Sequence, residues 1–141
     1  MALNIHLTKQ QIEDEFKKQI PMANGWYVGE VLSCTSEQSK DRQSINYVTV
    51  FGFDRPDGSR KEIKFYFNSK PFGQTIIVKF FAAVNKMALN EFMEKMGSDF
   101  DLNFDNTIGK KVNCKVIQNI QASGAIFNNI DDFASPDAVP F

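Results

Sequence analysis

Histidine occurs once, as His6, and cysteine twice, as Cys34 and Cys114, far apart and with no CxxC. Three such residues cannot supply the four N or S ligands of a structural zinc site, so none is expected. A single histidine also leaves few ways to assemble a nucleophile–base pair. GxGxxG, GxxxxGKS/T, HExxH and GxSxG are all missing, and with them the chemistries those motifs carry. No run approaches the ~20 apolar residues of a membrane span. The start MALNIHLTKQ has no basic region followed by an apolar run, which argues against a signal peptide. The expectation is a cytoplasmic protein with reduced thiols, no cofactor, no metal, no membrane partner and no catalysis. The acids Glu13, Asp14 and Glu15 read as the solvated side of a helix, and Asp99, Asp101 and Asp105 as a polar loop whose spacing matches no EF-hand.

Net charge is also nearly absent, at −1, but its distribution is uneven. Residues 26–86 carry nine bases against six acids, whereas residues 131–141 carry three acids and no base. A mildly basic body with an acidic end is hidden inside a near-neutral total. Aromatic residues are plentiful: 14 Phe, 3 Tyr and 1 Trp among 141 residues. A chain of this length buries a real core as one domain, and so many flat rings leave some to face a ligand.

Residues 8–20, TKQQIEDEFKKQI, predict a short helix. Thr8 and Gln11 form a capping box, Leu7 and Ile12 suit a hydrophobic staple, and Ile12, Phe16 and Ile20 make a narrow apolar stripe. Pro21 and Asn24-Gly25 end it. From Trp26 the period changes to two. Strands are expected at 26–34, 45–53 and 61–69, joined by the loop TSEQSKDRQS and a turn around Pro56 and Asp57-Gly58. In the third strand Ile63, Phe65 and Phe67 oppose Glu62, Lys64, Tyr66 and Asn68. In the second, Val48 and Val50 oppose Tyr47, Thr49 and Phe51. The spacing of Ile77, Phe80, Phe81, Val84 and Met87 predicts a helix from residue 74, continuing toward a stop at Gly97. Alternation returns at 109–120, with Val112, Cys114 and Val116 against Lys111, Asn113 and Lys115, and a fifth strand follows at 125–130. The order is that of a mainly β protein: a five-stranded antiparallel OB-fold barrel with an N-terminal helix and a helical insertion between strands 3 and 4. It divides into an N-terminal helical extension (1–22), an OB-fold nucleic-acid-binding domain (23–130) and an acidic flexible C-terminal tail (131–141).

Single strands of nucleic acid bind where cations track phosphates and rings stack bases. Tyr47 and Tyr66 are expected on the outward faces of neighbouring strands, near Lys64, Lys111 and Lys115, with Trp26 at the mouth of the first strand. The loop adds Lys40 and Arg42, and the hairpin adds Arg60 and Lys61. Each residue also has a plainer reading. Trp26 suits rim packing, the tyrosines suit a subunit contact, and the lysines suit a solvated face. Phe51 and Phe53 are expected to be buried.

Two stretches resemble known proteins. TIGKKVNCKVIQNIQASGAIFNNIDDFASP resembles the last strands of small phage-encoded OB-type proteins, in which Gly-Lys opens the fourth strand and an aromatic–Asn–Asn–Ile pattern fills the fifth. DDFASPDAVPF resembles the acidic, Phe-terminated tips of the single-stranded DNA-binding proteins of bacteria and some phages. The resemblance covers residues 26–141. It implies a non-catalytic protein that coats single-stranded DNA during replication, recombination and repair and recruits partner proteins by its tail. Pro140 and Phe141 would be the hydrophobic anchor, and Asp131, Asp132 and Asp137 the acidic run. Ala138-Val139 stands where the bacterial tips are dense in acids, and no long Gly/Gln-rich linker precedes it. A phage partner, or competition of the tail for the protein's own groove, is then the expectation, and deleting residues 131–141 is expected to raise DNA affinity at low salt. A protein-interaction or oligomerisation module, its aromatic face covered by protein, is the alternative; a homo-oligomer stays open on either reading.

Overall fold

The computed structural model describes residues 2, 4, 6–96 and 102–137. Its elements are α1 (Lys9–Gln19), β1 (Gly25–Gln38), β2 (Ile45–Asp54), β3 (Arg60–Asn68), α2 (Pro71–Val84), α3 (Leu89–Met96), a single 3-10 turn (Phe104–Thr107), β4 (Lys111–Ile120) and β5 (Ile126–Ala134). The five strands form one antiparallel sheet in the order β3-β2-β1-β4-β5. Each neighbour reverses direction, so the two edges, β3 and β5, run the same way. The sheet curls until these edges approach. Phe133 of β5 lies 5.3 Å from Phe65 and 5.5 Å from Phe67 of β3, ring centre to ring centre. The edges therefore meet through rings and not through a hydrogen-bonded ladder.

The interior is built from phenylalanine. Phe51, Phe53, Phe67, Phe80 and Phe133 are all essentially buried, and Val31, Val112, Cys114 and Val116 fill the spaces between them. Phe80 of α2 reaches Phe51, Phe67 and Phe133 within 6 Å, so α2 covers the end of the barrel where β3 and β5 meet. Offset and edge-on ring pairs of this kind add about 0.5–1.5 kcal/mol each beyond their area burial. Asn85 to Ala88 interrupt the expected single helix, giving two, with Lys86 in the left-handed region at φ 58°. The expected Gly97 stop, with Asp99 and Asp101, lies outside the described residues.

Helix α1 begins as its sequence predicts. The Thr8 hydroxyl accepts from the Gln11 N–H (3.1 Å), and the Gln11 side chain accepts from the Thr8 N–H (2.9 Å). Its stripe, however, does not pack on the sheet: Phe16 and Ile20 are exposed. The helix is held from beneath by Arg55, whose guanidinium donates to the carbonyls of Lys17 and Ile20.

Two expectations about strands need correction. Tyr47 is not on the outward face. Thr49, Phe51 and Phe53 are buried on its side of β2, and Tyr47 stacks on Phe104 at 4.7 Å and 16°. Both alternating sets of β2 are apolar, so the period could not say which set points inward; the larger rings do, because they fill a barrel interior that valines would leave void. The fifth strand does not stop at residue 130. It continues to Ala134, so Asp131 and Asp132 belong to β5 and not to a tail. A bulge opposite Lys115 and Val116 lets two adjacent acids follow buried Ile130 and still returns Phe133 to the core.

Candidate nucleic-acid interface

Alternation along each strand sorts the candidates by face. On β1, Tyr27 meets Phe53, a side chain at Gly29 would strike the Phe53 ring, and Val31 is buried. Trp26, Val28 and Glu30 therefore point outward. Their partners on β4 are Lys115, Asn113 and Lys111 in that order. On β3, Ile63, Phe65 and Phe67 point inward and Arg60, Glu62, Lys64 and Tyr66 outward, as the sequence pattern predicts. Lys64 lies opposite Val50 and Tyr66 opposite Val48. Tyr66 is 55% exposed, and Trp26 is half-buried.

One outward face thus carries Trp26, Lys111, Lys115, Arg60, Lys64 and Tyr66. Its two rings are not a single platform. Through the register, Tyr66 lies level with Thr35 of β1, nine residues from Trp26, or about 30 Å along the strand. A ligand that touches both must be long.

The cations differ in what already holds them. Arg60 donates to Asp54 (3.0 Å) and Glu30 (3.3 Å), bonds that raise its already high pKa, the one to Asp54 most. Lys115 lies 3.7 Å from Asp131. Lys64, Lys111, Lys40 and Arg42 are exposed and make no ion pair among the described residues. Lys61 stands apart from the others. It opposes Phe53 on the inward side of the β3 edge, and burial, helped by the charge of Arg55, pushes its pKa down.

Lys40 and Arg42 sit on the loop between β1 and β2, which is a built turn. The Asp41 carboxylate accepts from the Ser39 hydroxyl, the Gln43 N–H (3.0 Å) and the Lys70 ammonium (2.7 Å). These bonds, that from Lys70 first, hold Asp41 well below the usual carboxylate range. The loop is thereby pinned to the far end of β3.

The structure adds a groove that sequence reasoning missed. Where β3 and β5 diverge, a cleft of about 610 Å³ is lined by Lys61, Lys64, Asn119, Phe127 and Asn129. The Phe127 ring is exposed. The alternation of AIFNNI identifies a strand, but only the nearness of the hairpin turn marks Phe127 as beyond the reach of the core.

The acids of the expected tail are already engaged. Asp132 meets Lys79 of α2 at 2.6 Å, Asp131 meets Lys115, and Asp137 meets Lys86 at 3.8 Å. Pro140 and Phe141 lie outside the described residues. Both thiols are free, and burial pushes that of Cys114 up. Among the described residues no group of three or more His, Cys, Asp or Glu is placed to hold a metal ion, and no helix is long and apolar enough to cross a membrane. No protein-family model matches the chain, and no curated protein matches it.

Proposed function

We propose that the chain is a non-catalytic single-stranded DNA-binding protein of the OB type, binding with little sequence preference in DNA replication, recombination and repair. The strand order β3-β2-β1-β4-β5, with same-direction edges closed by rings and helices between β3 and β4, supports the fold assignment. The observation that carries the function is the outward face itself, where exposed Tyr66 and half-buried Trp26 are interleaved with Lys64 and Lys111, two cations without an ion pair among the described residues. Rings and unspent cations along one surface are what a polyanion with stackable bases requires. A separation of about 30 Å along the strand direction suits a strand of several nucleotides and not a small ligand. Pro140 and Phe141 act as the hook for replication or recombination partners, and of the acids only Asp137 stands beyond the last strand to assist them. A phage origin accords with the resemblance of the last two strands.

Fluorescence anisotropy with labelled oligo-dT and a matching duplex, with and without Mg²⁺, tests this reading. Oligo-dT binds in preference to duplex, and affinity falls as salt rises. Lys64→Ala lowers the slope of log K against log salt by about 0.7, and Tyr66→Ala weakens binding by about 1–3 kcal/mol. No binding of either DNA would leave the aromatic face as a protein interface, and Mg²⁺-dependent cleavage would make the protein a nuclease.

A further inference from the structure

Phe72 is 95% exposed, the most exposed large hydrophobic side chain among the described residues, and its ring meets no other ring. Such a side chain on a loose loop would mean little. This one stands at the second position of α2, on a turn that is stitched in place. The Asn68 side-chain amide donates to the Ser44 hydroxyl (2.9 Å) and the Asn46 side-chain oxygen Oδ1 (2.6 Å), and its own Oδ1 accepts from the Lys70 N–H (2.9 Å). The Gln74 amide donates to the Ser69 carbonyl and the Thr75 hydroxyl to the Phe72 carbonyl, both at 2.8 Å. A β-carbon on Gly73 would lie 1.9 Å from the Asn68 carbonyl oxygen, so only glycine lets the chain fold back here. The backbone under Phe72 is thus fixed before any partner arrives, and little ordering cost remains to be met on binding.

The turn that carries the ring and the loop tied to it hold three cations, Lys40, Arg42 and Lys70, against one acid, Asp41. Lys70, two residues earlier, holds Asp41 and so ties the turn to the loop that carries Lys40 and Arg42. Asp41 is spent on Lys70, while Lys40 and Arg42 remain exposed without an ion pair among the described residues. Strand β3 leads into the same turn from Lys64 and Tyr66. A protein partner favours a ring set within an apolar surround that excludes water. The chain neighbours of Phe72 are instead Lys70, Pro71, Gly73, Gln74 and Thr75, and its 95% exposure leaves it without an apolar surround. A base needs only the flat face and a nearby cation for its phosphate.

We propose that Phe72 is a base-stacking platform that takes one base of a single strand whose phosphates lie against Lys40 and Arg42. The inference rests on the single-strand reading of the outward face and extends that track past Tyr66, around the end of β3. Anisotropy with oligo-dT, run on the wild-type chain, Phe72→Ala and Phe72→Trp, tests it. Phe72→Ala weakens binding about 5- to 150-fold with an unchanged Tm, because the ring supports nothing in the fold. Phe72→Trp binds, and its added emission is quenched by oligo-dT beyond the change seen for Trp26 in the wild type. If the wild type binds no oligonucleotide, the reading of the whole face fails and this inference with it. If the wild type binds, equal affinity of Phe72→Ala and unquenched emission from Phe72→Trp overturn the inference alone. A Phe72→Ala chain that keeps full affinity but sediments as a smaller species than the wild type overturns it in favour of a protein contact.

Discussion

Asp41 couples three elements through one side chain: the β1–β2 loop, the end of β3 and the start of α2 meet at its carboxylate. Because its folded pKa is depressed below the ordinary 3.8, its contribution is complete above that value and is lost as pH falls through the folded pKa. Protonation then releases Lys70 and loosens residues 39–44. Amide signals of Ser39 to Ser44 should accordingly shift together in an NMR titration below pH 3.8. Asp41→Asn should remove that transition and leave the loop loose at every pH. The resolving power of the sequence ends at this scale. The outward positions of Lys64 and Tyr66 were legible because β3 alternates apolar with polar. Tyr47 was not, since Val48 and Val50 compete with Thr49, Phe51 and Phe53 for the interior and only ring packing against Phe104 decides.

Among the elements, α1 was the most fully written in the sequence and is the least supported by the fold. Its capping box forms, but eleven residues make a marginal helix in water without tertiary packing, and its stripe residue Phe16 is 63% exposed. Arg55 supplies the attachment by donating to the carbonyls of Lys17 and of the C-cap residue Ile20, at the helix end where carbonyls outnumber backbone donors. Arg55→Ala should therefore release the helix selectively. Hydrogen exchange at residues 9–19 should approach the unprotected rate while the strands keep their protection; equal loss everywhere would show that α1 supports the barrel. The strands were legible in number and order, and their ends were not. The bulge in β5 breaks the period of two at Ile130, which made Asp131 and Asp132 read as the start of a tail when the ladder in fact carries on to Ala134.

For the molecule as a whole, that extension changes what the C-terminal acids do. A detached acidic arm would screen the basic outward face from a distance and could be cut away at residue 131. Asp131 and Asp132 are instead built into the wall, each beside a lysine of the body, and Phe133 between β3 and β5 joins the two edges of the sheet. Truncating one buried Phe to Ala costs about 3–5 kcal/mol, a large part of the 5–15 kcal/mol that typically separates folded from unfolded. A chain ending at Ile130 would lose that ring together with four strand residues, three of them paired with β4, and should fail to fold. A chain ending at Asp137 keeps every ion pair of the three acids and loses no charged side chain. Circular-dichroism melts should give no cooperative transition for the first and a wild-type Tm for the second. On the proposed function, the second should also bind oligo-dT as strongly as the full chain while losing recruitment of replication or recombination partners. A rise in its affinity at low salt would mean that residues 138–141 compete with DNA for the groove, and retained recruitment would place the hook elsewhere.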